Sequence, residues 1–367
     1  MPTPCLSAIP RDIACVADYE RYARHSLDDN AWAYLASGAG DELTYRRNRD
    51  AFDALRLQGR VLGDVGGGHT RLELFGQALA HPILLAPVAY QRLFHDAGEL
   101  AAAQAAEALE AAMVVSTLAS VPLEDIAAAT RAPLWFQLYI QPDRGYTRHL
   151  VARAEAAGYR ALVVTVDAPI NGLRNVEQRA GFHLPPGVEA ANLRDMPPPP
   201  NPLAHLRPGQ SPLFDGLLAT APTWADIEAL RGLTRLPLIL KGILSPADAR
   251  QALALGVDGL VVSNHGGRTL DTLPAAIEAL PAVADAVGGD IPLLLDGGIR
   301  RGTDILKALA LGARAVLVGR PWVYGLAAAG PLGAAHAIKV LREELEVAMA
   351  LTGCATLADI GPATLWR

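Results

Sequence analysis

Cysteine is scarce in this sequence: Cys5, Cys15 and Cys354 are the three cysteines of a 367-residue chain. Their number is odd and no two of them form a C-x-x-C pair, which excludes a disulfide framework and a cysteine zinc site. No metal site is predicted elsewhere. So few thiols are typical of a reducing compartment, and we expect a cytoplasmic location.

Long hydrophobic runs and an excess of positive charge are missing as well. No uncharged apolar run reaches the ~20 residues that a helix needs to span a bilayer. The start of the chain carries Arg11, Asp12 and Asp18 instead of the apolar core of a signal peptide. Lysine and arginine number 32 against 38 acidic residues, a net charge of −6, which argues against a nucleic-acid partner. We expect a soluble protein without stable membrane insertion.

Two glycine-rich nucleotide signatures are also absent. The sequence contains neither G-x-G-x-x-G nor G-x-x-x-x-G-K-[ST], which argues against a dinucleotide or a P-loop nucleotide as the ligand. Hydrophobic residues make up 51% of the chain and charged residues 19%. This composition predicts a folded chain with a large core.

One local pattern recurs three times along the chain. A segment rich in alanine and leucine leads to Gly158, Gly256 or Gly312, and a continuous apolar run follows each glycine. Each repeat predicts a helix that ends at a glycine cap, a short turn, and then a strand. The runs are apolar throughout rather than alternating, which is typical of a parallel sheet covered by helices on both faces.

Eight strands are predicted between residues 83 and 318, with helices between most of them. The other five apolar runs are Ile83–Ala86, Met113–Ser116, Leu134–Tyr139, Leu238–Lys241 and Ile291–Asp296. The helices predicted between strands include Glu99–Ala112, Pro246–Leu255 and Thr303–Leu311. Eight β/α units favour an α/β fold of the (β/α)8 TIM-barrel type, with a doubly wound sheet as the alternative.

Residues 83–356 form the predicted barrel, and three segments lie outside its repeat. We expect residues 1–82 to form a helical N-terminal cap below or beside the barrel, and residues 357–367 to form a C-terminal tail. The long loop 185–222, after the fourth strand, is rich in proline and includes Pro197–Pro200. It is predicted to be an active-site lid or a packed excursion. The alternative is that its apolar residues, such as Phe214, touch a membrane or a neighbouring subunit.

Polar side chains follow the apolar runs where each predicted strand ends. In a barrel, the loops after the strands form the catalytic face, so we expect these side chains to meet there. They are Gln137, Tyr139, Thr165, Asp167, Lys241, Ser263, His265, Asp296 and Arg320, the last of which follows Gly319.

Arginines and glycines cluster after the seventh and eighth predicted strands, where barrels commonly bind phosphate. Glycines let backbone N–H groups approach an anion, and both clusters precede a predicted helix N-terminus. The clustered residues are Gly297, Gly298, Arg300, Arg301, Gly319 and Arg320. We expect a phosphate-bearing ligand here, with two ordinary turns and surface arginines as the alternative.

His265 is the candidate base, because an imidazole exchanges protons near neutral pH and the glycines that follow it leave room for a substrate. Asp167, after the fourth strand, can orient the ring and stabilise its cation, as in a catalytic triad. Arg174 and Arg268 lie in the same two loops as Asp167 and His265, at the same end of the predicted barrel. Two guanidinium groups suit a carboxylate substrate, since each offers a planar bidentate fork.

Lys241 ends an apolar run, which is an unfavourable place for an ammonium group without an anionic partner. A reduced cofactor ring would be such a partner. The alternative is a lysine that forms a Schiff base, which would make the chain a lyase of the aldolase type.

Five segments together resemble the FMN-dependent 2-hydroxy-acid oxidase and dehydrogenase family, whose members include glycolate oxidase, lactate oxidase and mandelate dehydrogenase. The segments are 34–38, 136–139, 165–167, 263–268 and 296–302. The resemblance covers roughly residues 16–356 in one order. Residues 86–95 are similar to the corresponding segment of hydroxymandelate oxidases.

The resemblance implies FMN as the cofactor and a role for each matching residue. His265 would take a proton from the substrate with support from Asp167, Tyr139 would contact the substrate hydroxyl, and Lys241 would stabilise negative charge on the reduced flavin. The substrate carboxylate would be bound by Tyr34, Arg174 and Arg268. The remaining contacts to FMN would be made by Pro87, Val88, Ala89, Ser116, Gln137, Thr165, Ser263, Asp296, Gly297, Gly298, Arg300, Gly319 and Arg320.

The implied reaction oxidises an (S)-2-hydroxy acid to the 2-keto acid, with O2 as the acceptor and H2O2 as a product. Leu118 stands where glycolate oxidases carry Trp and lactate oxidases tend to carry Tyr. Because leucine is smaller than either, Leu118 predicts room in the substrate pocket for a substrate with an aryl or longer alkyl side chain, such as mandelate. The alternatives are a lactate or mandelate dehydrogenase that passes electrons to a quinone or cytochrome, and a non-redox isomerase with an FMN barrel. The family also implies a homotetramer.

Overall fold

A computed structural model of the protein describes residues 5–198, 201–204 and 206–366. Eight parallel strands close into a barrel in which each strand pairs with the next one along the chain. The last strand pairs back with the first, for example through Val316 and Ile83. The predicted (β/α)8 barrel is therefore confirmed, and the doubly wound sheet is excluded.

The chain forms a short antiparallel hairpin before the barrel begins. The hairpin strands are β1 (Leu72–Leu74) and β2 (Gln77–Leu79). The barrel strands are β3 (Ile83–Leu85), β4 (Met113–Ser116), β5 (Leu134–Leu138), β6 (Leu162–Thr165), β7 (Leu238–Ile243), β8 (Gly259–Val262), β9 (Leu293–Asp296) and β10 (Ala313–Val318). Each barrel strand overlaps one of the apolar runs from which it was predicted.

Side chains along the barrel strands alternate between two separate cores. Val163 and Ile239 belong to the cluster that fills the barrel interior. Their neighbours Val164 and Leu240 belong to the larger cluster that includes the surrounding helices. Because both faces of the strands are mostly buried, their sequences are largely continuous apolar runs, with polar residues such as Gln137 and Lys241 towards the carboxyl ends.

The helices surround the barrel and also precede it. Those before the barrel are α1 (Tyr19–Ser26), α2 (Asp29–Ala36) and α3 (Leu43–Ala54). Those after β3 are α4 (Glu99–Ala108), α5 (Leu123–Ala128), α6 (Arg144–Ala156), α7 (Asn175–Ala180), α8 (Trp224–Leu233), α9 (Pro246–Ala254), α10 (Ala276–Val287), α11 (Gly302–Ala310) and α12 (Arg320–Thr352). Over the described ranges, no helix combines the length and the hydropathy that crossing a membrane requires.

Two helices are shortened or bent by local features of the backbone. α4 ends at Ala108, short of the predicted Ala112, and Glu110 beyond it adopts a left-handed φ of 55°. α12 bends at Ala329 and Gly330, just before Pro331, because proline has no N–H to continue the helical hydrogen bonds.

The N-terminal segment contacts both ends of the barrel. The hairpin closes the amino-terminal end: Leu74 and Leu79 join the interior core, and the indole of Trp135 donates a 3.1 Å hydrogen bond to Gln77 Oε1. α2 reaches the opposite end, where Tyr34 lines the cavity described below. The prediction placed this segment below or beside the barrel, and the structure adds a contact with the catalytic face.

The long loop 185–222 is anchored beside β4 rather than over the catalytic face. Asn192 is buried; its side chain accepts a 2.9 Å hydrogen bond from the Leu123 N–H and donates one of 3.3 Å to the Thr117 carbonyl. None of the loop's described residues lines the cavity, which favours the packed excursion over the lid. Of the predicted Pro197–Pro200 run, Pro199 and Pro200 lie outside the described residues.

The C-terminal tail, 357–367, packs against the N-terminal segment. The Trp366 N–H donates a 2.9 Å hydrogen bond to the Arg56 carbonyl, and Leu365 forms an isolated bridge with Leu57. The tail therefore ties the end of the chain to the segment that precedes the barrel.

Candidate active site

A cavity opens at the carboxyl ends of the barrel strands, where the polar residues predicted it. It encloses about 1230 Å³ of empty space, part of which is open to solvent. All but two of the residues to which the resemblance assigned a role line it. They are Tyr34, Pro87, Val88, Ala89, Ser116, Gln137, Tyr139, Thr165, Arg174, Lys241, His265, Arg268, Asp296, Gly297, Gly298, Arg300, Gly319 and Arg320. The other two, Asp167 and Ser263, stand behind the wall and contact residues that line it.

His265 and Asp167 form the predicted pair. Nδ1 of His265 lies 2.9 Å from Oδ1 of Asp167. The His265 backbone has a left-handed φ of 59°, a conformation that a non-glycine residue adopts only where its surroundings hold it. The Ser263 hydroxyl provides one such contact, since it accepts a 2.9 Å hydrogen bond from the His265 N–H.

The Asp167 carboxylate stays ionised beside the imidazole. Burial alone would raise the pKa of Asp167, but the charge and hydrogen bond of His265, together with the charge of Lys241, bring this pKa below its usual value. A carboxylate with a lowered pKa loses its stabilising effect only in strong acid, as the pH falls through that value. Near neutral pH, Asp167 can therefore hold a proton on Nδ1 and leave Nε2 of His265 as the proton acceptor.

Arg174 and Arg268 meet at one side of the mouth, and a third residue joins them. Nη1 of Arg174 lies 3.0 Å, and Nη2 of Arg268 2.9 Å, from the same carboxylate oxygen, Oε1 of Glu177. Both guanidinium groups lie over the Tyr34 ring, at 5.9 and 5.0 Å from its centroid. The sequence analysis missed Glu177. Its position three residues after Arg174, which is ion-pair spacing on a helix, was the available signal.

Burial changes the acidity of two further groups at this mouth. Burial, with the charge of Asp167, raises the pKa of Tyr139 well above its usual value, so the phenol is a neutral hydrogen-bond donor. Burial lowers the pKa of Arg268 to about 10. This guanidinium is therefore still protonated near neutral pH and can bind an anion.

Lys241 is buried in the floor of the cavity. Nζ lies 2.6 Å from Oδ2 of Asp296 and 3.1 Å from the Ser263 hydroxyl. Burial alone would lower the pKa of Lys241, but Asp296 and Asp167 raise it above its usual value. An ammonium group that is firmly protonated is a poor nucleophile, which argues against the Schiff-base lyase.

Ser116, Gln137 and Thr165 line the floor beside Lys241. They form a chain: the Ser116 hydroxyl donates to Gln137 Oε1 at 3.1 Å, and Gln137 Nε2 donates to the Thr165 hydroxyl at 3.0 Å. Because these residues end β4, lie in β5 and end β6, the barrel geometry brings them together. They offer donors and acceptors to the polar edge of a planar ligand.

Arg300 and Arg320 also line the cavity, at the beginnings of α11 and α12. Arg320 donates hydrogen bonds to the carbonyls of Leu35, Ser37 and Gly266 at 2.8–3.0 Å. The third clustered arginine, Arg301, points away and pairs with Glu344 at 3.2 Å. Two of the three arginines thus remain for an anion.

The glycines before Arg300 have a specific reason to be glycine. Gly298 has a left-handed φ of 83°, and a Cβ there would collide with the Asn48 carbonyl. Gly297 also has a positive φ, of 106°. Both positions therefore require a backbone that only glycine adopts without strain.

The lining of the cavity offers suitable groups to both the ring and the phosphate of FMN. The buried ammonium of Lys241 and the amide of Gln137 suit the polar edge of the isoalloxazine ring. Arg300, Arg320 and the adjoining helix N-termini suit the phosphate. The Asp296 carboxylate lines the same cavity and is available to the ribityl hydroxyls.

Comparison with known proteins gives the same assignment. The family model described as FMN-dependent dehydrogenase matches residues 23–367. L-lactate oxidase from Alicycliphilus denitrificans is 51% identical, over 97% of this chain and 97% of its own. 2-Hydroxyacid oxidase from Dictyostelium discoideum is 42% identical, over 96% and 89% respectively. The crystal structure of mandelate oxidase with (S)-2-phenylpropionate is 44% identical, with a TM-score of 0.86 over 96% of this chain and 98% of that one.

Proposed function

Because the chain belongs to the FMN-dependent dehydrogenase family and is a 2-hydroxy-acid oxidase with FMN as its cofactor, we propose that its substrate is an (S)-2-hydroxy acid with an apolar side chain. The products are the 2-keto acid and H2O2, and O2 is the acceptor. The observation that carries this proposal is that His265, which is hydrogen-bonded to Asp167, lines the same cavity as Arg174 and Arg268.

The residues divide the work of the reaction between binding and proton transfer. Arg174 and Arg268 bind the substrate carboxylate, and the neutral phenol of Tyr139 donates to the substrate hydroxyl. His265 accepts a proton from the substrate at Nε2, in a carbanion or in a hydride mechanism alike. The adjacent carboxylate of Asp167 stabilises the imidazolium that results. FMN, when bound, supplies the two-electron acceptor.

Leu118 supports the choice of an apolar substrate side chain. It lines the same cavity as Ile170 and Arg174. An aliphatic wall favours an apolar group, since it offers no hydrogen-bond partner to a polar one. Glycolate, which has hydrogen at this position, would gain nothing from the wall.

Two sizes of apolar side chain remain as candidates. The sequence predicts an aryl or longer alkyl group, as in mandelate, and the similarity to mandelate oxidase supports this. The relative named L-lactate oxidase shares 51% identity and favours a methyl group. The proposal of O2 as acceptor rests on the oxidase names of these relatives and extends to both candidates.

Oxygen uptake with a substrate panel tests the proposal. Without any added acceptor, the protein should consume O2 with L-lactate or (S)-mandelate at a kcat/KM at least about tenfold above that for glycolate. Leu118→Trp, which fills part of the cavity, should lose more activity on mandelate than on glycolate. A preference for glycolate would contradict the proposed side chain. Dye reduction without oxygen uptake would contradict the acceptor and favour a dehydrogenase.

We also propose that the protein is a homo-oligomer, the tetramer that the resemblance implies. The support is a set of exposed apolar side chains where the loop before β1 meets the end of α12. Leu62 and Val61 are almost fully exposed there, and the Arg60 N–H bonds the Leu351 carbonyl at 3.1 Å.

A further inference from the structure

Glu177 is a buried carboxylate to which the resemblance assigns no role. It lies on α7, and its side chain is only 10% exposed. A carboxylate in such a position is unfavourable unless cations or hydrogen-bond donors surround it. The surroundings of Glu177 are the two arginines that face the substrate.

Three separate parts of the chain converge on one oxygen atom of Glu177. Oε1 accepts hydrogen bonds from Arg174 at 3.0 Å, Arg268 at 2.9 Å and the Ser37 hydroxyl at 3.2 Å. Ser37 follows α2 in the N-terminal segment, Arg174 precedes α7, and Arg268 follows β8. Glu177 thus links the loops after two barrel strands to the segment that covers the catalytic face.

Other contacts fix the far side of each guanidinium. Nη1 of Arg268 donates to the carbonyls of Tyr34 and Ser37 at 2.7 and 2.8 Å. Nη2 of Arg174 donates to Asn171 Oδ1 at 3.2 Å. Both arginine side chains are 16% exposed and line the cavity. Each is therefore held at its edges while part of it remains in contact with the cavity.

The charges explain why a carboxylate is needed at this place. Arg174 and Arg268 repel each other, and two neighbouring guanidinium groups in a partly buried site would separate without a counter-ion. With Glu177 between them the three groups carry one net positive charge. A single substrate carboxylate balances that charge.

We propose that Glu177 is a positioning residue for the substrate carboxylate: it holds Arg174 and Arg268 together as one cradle. This inference rests on the proposed function, because it takes the bound anion to be the carboxylate of a 2-hydroxy acid. Glu177 does not itself contact the substrate. Its effect should appear in substrate binding rather than in the reaction step.

Removing the Glu177 charge can change the affinity for the substrate carboxylate in either direction. The direction of the change shows whether Glu177 positions the arginines or only neutralises part of their charge. If Glu177 only reduced the positive charge, Glu177→Gln would make the site more cationic, and the carboxylate would bind more tightly. If Glu177 holds the cradle together, the arginines separate and binding weakens. Positioning therefore predicts a higher KM, and neutralisation alone predicts a lower one.

Glu177→Gln tests the proposal, and Glu124→Gln is the matched control. Glu124 pairs with Arg153 at 2.7 Å on the outside of the barrel. For Glu177→Gln we expect KM for the preferred 2-hydroxy acid to rise at least about tenfold, with kcat within about threefold of wild type. The affinity for propionate, which lacks the hydroxyl, should fall by a similar factor when followed through the flavin absorbance. Glu124→Gln should leave all three values unchanged.

Several outcomes would overturn the positioning role of Glu177. A KM that is unchanged or lower, or a kcat that falls while KM stays constant, would remove the positioning role. An equal effect of Glu124→Gln would show a general loss of stability. If the wild-type protein binds propionate but oxidises no 2-hydroxy acid, the proposed function fails, while the propionate measurement still decides the role of Glu177.

A double-mutant cycle with Arg174→Lys gives a second test. Both substitutions disturb the same contact, so their effects on the propionate affinity should be less than additive. Fully additive effects would show that Glu177 and Arg174 act independently, and the cradle would be excluded.

Discussion

His265→Asn should slow anaerobic reduction of the bound flavin by about 10²–10⁴-fold, the range that a positioned acid or base contributes. The imidazole is held by Asp167 at 2.9 Å, and an amide cannot accept a proton from the substrate near neutral pH. Asparagine is the suitable replacement because the His265 backbone has a φ of 59°, and asparagine tolerates this left-handed region better than most residues. FMN should stay bound, since His265 does not form the phosphate end of the cavity.

Stopped-flow absorbance under anaerobic conditions measures this effect. His149→Asn is the control, because His149 is exposed on α6, outside the cavity. It should reduce flavin at the wild-type rate. A His265→Asn protein that also reduces flavin near the wild-type rate would mean that another group is the base.

Lys241→Met should yield a protein that binds FMN at least about tenfold more weakly than wild type, equivalent to 1.4 kcal/mol or more. Lys241 is the ammonium paired with Asp296 at 2.6 Å in the cavity floor. Without it, the Asp296 carboxylate faces an anionic cofactor with no counter-ion. Breaking one partner of a buried ion pair also destabilises the fold, by about 3–5 kcal/mol.

Lys307→Met separates loss of the cofactor from loss of the fold. Lys307 is also buried, and its ammonium donates a 2.7 Å hydrogen bond to the Phe52 carbonyl outside the cavity. This variant should lose stability and keep FMN. Flavin content after dialysis, with circular dichroism to check folding, distinguishes the two. A folded Lys241→Met protein with wild-type FMN affinity would remove Lys241 from the cofactor site.

The barrel could be predicted because its signals are local. The glycines at 158, 256 and 312 end helices, and the apolar runs that follow them are buried on both faces. The site could be predicted for a related reason. In a closed parallel barrel every strand ends at the same face, so residues far apart in sequence, such as Asp167 and His265, come together there.

The parts that were missed depend on contacts between distant segments. Glu177 meets Ser37 across 140 positions of sequence, and nothing near Glu177 indicates that partner. The hairpin of β1 and β2 is too short for a clear alternating pattern, and its place under the barrel depends on contacts such as Gln77 with Trp135. The cover that α2 forms over the catalytic face likewise depends on tertiary packing.

Anaerobic titration of the purified flavoprotein with L-lactate and (S)-mandelate tests whether this cavity oxidises 2-hydroxy acids. We expect a yellow protein whose flavin absorbance bleaches fully with at least one of the two acids and returns when air is admitted. A protein that binds FMN but shows no bleaching with either acid would contradict the assignment of this cavity as a site of 2-hydroxy-acid oxidation.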